Sequence, residues 1–116
     1  RYVAFMERAR TEWMRALGYG QERMRIEHGM IFAVRSMQMD FIRPARLDDT
    51  LQVSARLVQL KKASMVFEQQ ILRDGELLLS AQVRIAALEA ASFRPRGMDE
   101  AVLAVLQPHL HPESEH

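Results

Sequence analysis

Few residues in this chain have side chains able to do chemistry, and their spacing narrows what that chemistry is. Lys61 and Lys62 are adjacent cations at the end of an alternating apolar run. Ammonium groups hold phosphate oxygens as point charges, so such a pair on a sheet edge suits a pyrophosphate or a phosphate monoester. On the residues alone, the pair reads better as a solvated turn in which lysines guard the edge. Arg94 and Arg96 form a second basic group in a loop, where arginines are otherwise simply solvated. Glu7, near the start of a helical pattern, complements the helix dipole as a first-turn acid would. His28 stands alone in a connecting segment and reads as structural or exposed. His109 and His111 with Glu113 are of metal-ligating types, but a polar tail offers no preorganised geometry, so no metal is expected there.

Several chemistries are excluded. The chain has no cysteine, which removes disulfides, thiol nucleophiles and thiolate metal sites. No acid-x-acid metal motif, Gly-rich phosphate loop or Ser/His/Asp arrangement is seen.

The element that must position these groups is YVAFMERARTEWMRAL, residues 2–17. Tyr2, Phe5, Met6, Ala9, Trp13, Ala16 and Leu17 recur at helical spacing and predict one apolar stripe with Trp13 in its middle, wrapped by the rest of the chain. Glu7, Arg8, Arg10, Thr11, Glu12 and Arg15 fall on the opposite face, where Glu7–Arg10 and Glu12–Arg15 are close enough to pair. Gly18 and Gly20 stop the helix. Residues 21–29 lack a clean period and read as a connection with a short helical turn at 22–24. Long strands are predicted over 31–43, 51–60, 63–73 and 76–89. Asp74-Gly75 between apolar runs calls for a type I′ hairpin. Residues 94–97 read as a loop and 98–106 as a short helix ended by Pro108, with a mobile polar tail after it. Helix first, antiparallel strands next and a small closing helix last make a two-layer α+β domain. Val34, Val58, Val66, Leu72 and Leu78 fall on the sheet face away from the helix and predict a covering partner subunit.

Bulk numbers fit this reading. At 116 residues the chain has the size of one domain, 1–116, and its formal charge of +1 gives no argument for nucleic acid. No apolar run is long enough to cross a bilayer, and the cysteine-free composition fits a cytoplasmic location. The first residue is not methionine, and no capping residue precedes Tyr2, so a preceding segment is expected.

YVAFMERARTEW, and after it FAVRSMQMDFIRPARLDDTL, LKKASMVFEQQI and DGELLLSAQVRIAAL, resemble the YbgC-like branch of the 4-hydroxybenzoyl-CoA thioesterase family, associated with the Tol–Pal system. The resemblance covers most of the chain. It implies the hotdog fold, a long central helix wrapped by a curved antiparallel sheet, here apparently without its N-terminal strand and catalytic loop. It implies hydrolysis of a short-chain or aromatic acyl-CoA to free acid and coenzyme A. No metal or redox cofactor is implied, coenzyme A being part of the substrate. The family's catalytic aspartate, and in this branch a histidine, would lie upstream of Arg1, with Tyr2 matching the aromatic that closes that segment. Lys61, Lys62 and Ser64 align with a basic segment that contacts the coenzyme A phosphates. Tyr2, Phe5 and Met6 would border the acyl pocket or else be plain core, core being the preferred reading and Tyr2 its best exception. A second carboxylate at Glu7 has a parallel only in another hotdog branch, and the dipole reading is preferred for it. A homo-oligomer is implied, a dimer or a homotetramer built as a dimer of dimers. An acyl carrier protein is an alternative donor. The reading from another class is a non-catalytic hotdog module that binds acyl-CoA or a carrier protein, or scaffolds a partner complex. A hotdog dehydratase is a weaker third option, because its His and acidic pair has no counterpart here.

Overall fold

The computed structural model describes residues 2–112. Helix α1 (Tyr2–Ala16) is followed by α2 (Gln21–His28), then by strands β1 (Met30–Phe41), β2 (Gln52–Val53), β3 (Arg56–Leu60), β4 (Ser64–Arg73) and β5 (Glu76–Glu89), and by α3 (Glu100–Leu106) with a 3-10 turn over Gln107–His109. All pairings are antiparallel, in the order β1-β5-β4-β2, with β3 also on β4. Register shifts at Val34/Ser36, Leu57/Gln59 and Ile71/Leu72 bend the strands, because a bulged residue increases local twist. α1 lies on the inner face of this curved sheet. Met6 and Met14 join Phe67, Ile71, Leu79, Val83 and Ile85 in one buried cluster, to which α3 adds Val102 and Leu106. The helix-on-sheet α+β arrangement read from the sequence is the one observed.

The Asp74-Gly75 hairpin is as expected. Asp74 has φ 50° and Gly75 φ 80°, the two positive angles a type I′ turn needs.

Four expectations are corrected. The buried line of α1 is Met6, Arg10 and Met14, not one centred on Trp13. Trp13 is only partly buried, its ring edge-on between Phe67 (5.2 Å) and His109 (5.8 Å). Residues 21–28 form a full helix although only Met24 is buried. Glu22–Arg25 and Arg23–Glu27 ion pairs support it along its exposed side, and Gly29 closes it in the left-handed conformation. The run 51–60 is broken into β2 and β3 at Ser54, whose carbonyl accepts a hydrogen bond from the Gln69 amide. Finally, Val58, Val66 and Leu78 are already buried within the chain, so they do not call for a covering subunit. The middle of the outer sheet face is a polar cross-strand row, Gln38–Gln82–Glu68–Arg56. Only Val34 of the five expected apolar residues is exposed, at 49%.

The loop 42–51 is tied to the hairpin by Arg73. Its guanidinium donates to Asp49 Oδ2 (2.8 Å) and Glu76 Oε1 (2.6 Å), and the Arg46 N–H donates to the same Asp49 oxygen (2.6 Å). The Arg46 N–H first and Arg73 second hold the Asp49 carboxyl below its ordinary range, and Arg73 does the same for Glu76.

Two outcomes follow. Phe67→Ala empties the centre of the layer and is expected to cost about 3–5 kcal/mol, more than Trp13→Ala, in denaturant titrations. A carboxyl lowered in the folded state adds stability above its unfolded pKa and loses it as pH falls through the folded value. The Tm loss of Asp49→Asn is therefore largest near neutral pH and shrinks below about pH 4.

Candidate active site

α1 presents its start beside the end of β1. The Ala45 N–H donates to the Tyr2 hydroxyl at 3.0 Å, and the Tyr2 ring meets Phe41 at 5.9 Å. Tyr2 therefore anchors the helix start to the 42–51 loop. Phe5 is partly buried and Met6 fully buried, so Met6 is core. Glu7 is exposed in the second turn, not the first. That weakens its role as a dipole complement, because the effect falls off within the first turn.

The basic groups lie elsewhere. Lys61 and Lys62 are exposed on the turn between β3 and β4, and the Lys61 N–H donates to the Ser64 carbonyl at 2.8 Å. The Met98 N–H donates to the Lys62 carbonyl (2.6 Å), and the Lys62 side chain runs along Gly97, where an added Cβ would stand 3.0 Å from it. The structure thus brings the lysine turn and the 94–97 loop together. Arg94 is exposed. Arg96 is engaged: its guanidinium donates to the His28 carbonyl (2.6 Å) and to Asp99 Oδ1 (2.9 Å), while His28 Nδ1 lies 2.6 Å from Asp99 Oδ2. His28 is structural, joining α2 to the start of α3. Its hydrogen bond, ahead of the Arg96 charge, holds the Asp99 carboxyl below its usual range.

Tyr2 and the lysine turn stand at opposite ends of the sheet. Phe41, against Tyr2, pairs with Leu79, whereas Ser64 pairs with Ala86. At about 3.3 Å per residue along β5, those positions are roughly 23 Å apart.

The tail histidines are not loose. His109 packs on Trp13, and the His111 N–H donates to the Leu57 carbonyl at 2.8 Å. Glu113 lies outside the described residues. Among the described residues no cluster of three His, Asp or Glu side chains is placed to hold a metal ion.

The sequence reading missed the polar centre of the inner face. Arg10, assigned to the outer side of the helix, is 7% exposed, and Gln69 is 0% exposed. Arg10 Nη1 donates to Gln69 Oε1 at 2.7 Å, and Gln69 Nε2 donates to the carbonyls of Met6 (3.0 Å) and Ser54 (3.2 Å). Burial lowers the Arg10 pKa, opposed by the charge of Glu7. The signal was present: in β4 the inward positions run Met65, Phe67, Gln69, Ile71, and an amide in that series must find partners. Arg10 also lines a groove of about 910 Å³ between α1, α2 and β1, whose apolar wall includes Met14, Met24, Phe32 and Phe67.

Comparison with known proteins supplies the context. A family model described as the thioesterase superfamily matches residues 1–80. The acyl-CoA thioesterase YbgC of Haemophilus influenzae is 34% identical over 104 residues, spanning 90% of this chain and 76% of that protein. The acyl-CoA thioester hydrolase YbgC of Escherichia coli is 35% identical over 104 residues, spanning 89% and 77%. Among solved structures, a probable thioesterase from Bartonella henselae superposes with a TM-score of 0.79 at 33% identity, over 85% of this chain and 82% of that one.

Gln69→Leu would strip Arg10 of its acceptor and two carbonyls of their donor, at an expected cost of about 2–4 kcal/mol. Adding Arg10→Met should recover part of that loss, because the stranded charge is gone. A double-mutant cycle by denaturant unfolding measures it.

Proposed function

The chain belongs to the thioesterase superfamily and has its hotdog fold, and from that premise we propose that it hydrolyses acyl-CoA thioesters to the free acid and coenzyme A. The observation that carries the proposal is the identity of about one third, sustained over nine-tenths of the chain, with proteins named for that reaction.

The chemistry suits the elements at hand. Water, or a carboxylate first, adds to the thioester carbonyl, the oxygen takes the charge, and the C–S bond then breaks, releasing a thiol. The start of α1 supports the charge-bearing step, since the first backbone N–H groups of a helix have no partner within it and carry the positive end of its dipole. In this reading the carboxylate that attacks or activates water lies upstream of Arg1, and Lys61, Lys62 and Ser64 meet the coenzyme A phosphates. We read the assembly as a homo-oligomer, a dimer or a dimer of dimers. What supports it is the separation of Tyr2 from the lysine turn, which lets two copies contribute opposite ends of one site. The fitting substrates are short-chain or aromatic acyl groups, on coenzyme A or on a carrier protein, in the cytoplasm, with no metal or redox cofactor. Among the described residues no helix is long and apolar enough to cross a membrane.

The test is thiol release from acyl-CoA, with Lys61 and Lys62 replaced together by alanine in a second sample. The expected result is hydrolysis by the natural protein and, in the double variant, a raised KM with kcat changed less, as for contacts remote from the reacting bond. Acyl-CoA binding without thiol release would make the chain a non-catalytic module and overturn the proposal.

A further inference from the structure

Four arginines line the groove between α1, α2 and β1. Three end on carboxylates: Arg15 on Glu12 (2.7 Å), Arg23 on Glu27 (2.9 Å) and Arg25 on Glu22 (2.6 Å). All three pairs are largely solvent-exposed, where an ion pair gains least. Arg10 is the most buried of the four. Among the described residues no carboxylate reaches it at ion-pair distance, its hydrogen-bond partner is the neutral Gln69 amide, and the Glu7 charge acts on it only from farther away. A guanidinium taken out of water is where the lack of an anion costs most.

The arrangement around Arg10 is fixed. Gln69 commits its NH2 group to the Met6 and Ser54 carbonyls, which turns its own carbonyl toward Arg10. The guanidinium has five N–H donors in a planar fork that matches a carboxylate. No fully buried side-chain nitrogen among the described residues lacks a hydrogen bond, so the guanidinium nitrogens that Gln69 does not reach keep some solvent contact, and Arg10 lines the groove. The inner wall beside it, Met14, Met65, Phe67 and Ile85, suits methylene groups, while Glu7, Glu22 and the three paired arginines line the rest of the same groove. Helical side chains lean toward the N-terminus, and the Gln69 link places the guanidinium near the Met6 carbonyl. Met6 lies roughly 6 Å along the axis from Tyr2 at 1.5 Å per residue. A short acyl chain whose carbonyl sits at the helix start can span that distance.

We propose that Arg10, oriented by Gln69, receives an anionic group at the far end of the acyl chain, so that the preferred esters are those of short dicarboxylic acids. This rests on the acyl-CoA reading and adds the substrate class. Arg10 is here a specificity residue that touches the acyl terminus and takes no part in breaking the C–S bond.

The experiment compares glutaryl-CoA with 5-methylhexanoyl-CoA, which carries two methyl groups where glutaryl has its carboxylate oxygens. Dissociation constants are measured by titration calorimetry for the wild type, Arg10→Met and Arg10→Lys. In Arg10→Met the ratio of the two constants should shift by about tenfold or more against glutaryl-CoA. Arg10→Lys, which keeps the charge without the fork, should retain part of the preference. Circular dichroism at the titration temperature confirms that each variant is folded, and should Arg10→Met not fold, Arg10→Lys alone decides by whether the ratio moves. If both esters bind and the ratio stays put in the folded variants, or both affinities fall together, Arg10 is structural and this inference fails while the acyl-CoA reading stands. If neither ester binds the wild type, the acyl-CoA reading fails and the inference goes with it.

Discussion

One side-chain amide sets how the helix lies on the sheet. Gln69 sits in the middle of β4 with no solvent exposure, and its three hydrogen bonds reach α1 twice and the β2–β3 junction once. A buried amide left unpaired would cost more than a typical hydrogen bond contributes, so the surroundings must satisfy it. They do so by turning α1 until Arg10 and the Met6 carbonyl face inward, and by sending the Gln70 N–H to the Ser54 hydroxyl, which leaves the Ser54 carbonyl free to accept while the Ser54 N–H still donates to the Gln70 carbonyl. The rotation of the helix, the break in the strand and the placing of a guanidinium on the groove wall are three results of the same requirement. Apolar packing alone would have put Trp13 at the centre.

Around that joint the molecule is held at its margins by charged clusters, each engaging a loop that apolar contacts do not fix. Arg73 fastens the 42–51 loop to the β4–β5 hairpin through Asp49 and Glu76. Arg96 and His28 converge on Asp99 and fasten the end of α2 to the start of α3. Asp99 stands at the capping position of α3 but makes no side-chain capping bond, because both its oxygens are engaged by His28 and Arg96. The two clusters sit at the two ends of the sheet, and the groove lies between them.

Much of the fold was legible in the sequence, for local reasons. The hairpin at Asp74-Gly75, the span of β5 and the helix stop at Gly18 are set by backbone chemistry a few residues wide. The α2 helix was legible only as a single turn, since its support comes from side-chain ion pairs on an exposed surface and of its two apolar residues only Met24 is buried, Ile26 being exposed. The rotation of α1 was hidden because a stripe count treats arginine as outward-facing, whereas burial of Arg10 depends on a partner on β4, 59 positions away in sequence. Of the expected site residues, Lys61 and Lys62 are on the surface, and Tyr2 ties the helix start to the 42–51 loop. Their separation along β5 is a tertiary fact with no trace in local spacing.

The closing residues have a further consequence. Leu110 makes a parallel bridge to Leu57, the His111 N–H bonds the Leu57 carbonyl, and the Pro112 carbonyl accepts from Arg56. The tail thus covers part of the β3 rim, and β2 beside it is only two residues long. At the opposite rim β1 is the end strand of the sheet, with twelve residues. A sheet with two bare rims can add copies without end, as fibres do. Among the described residues one rim is short and strapped by its own chain, so any strand addition would have only the β1 rim to use and would close at two copies.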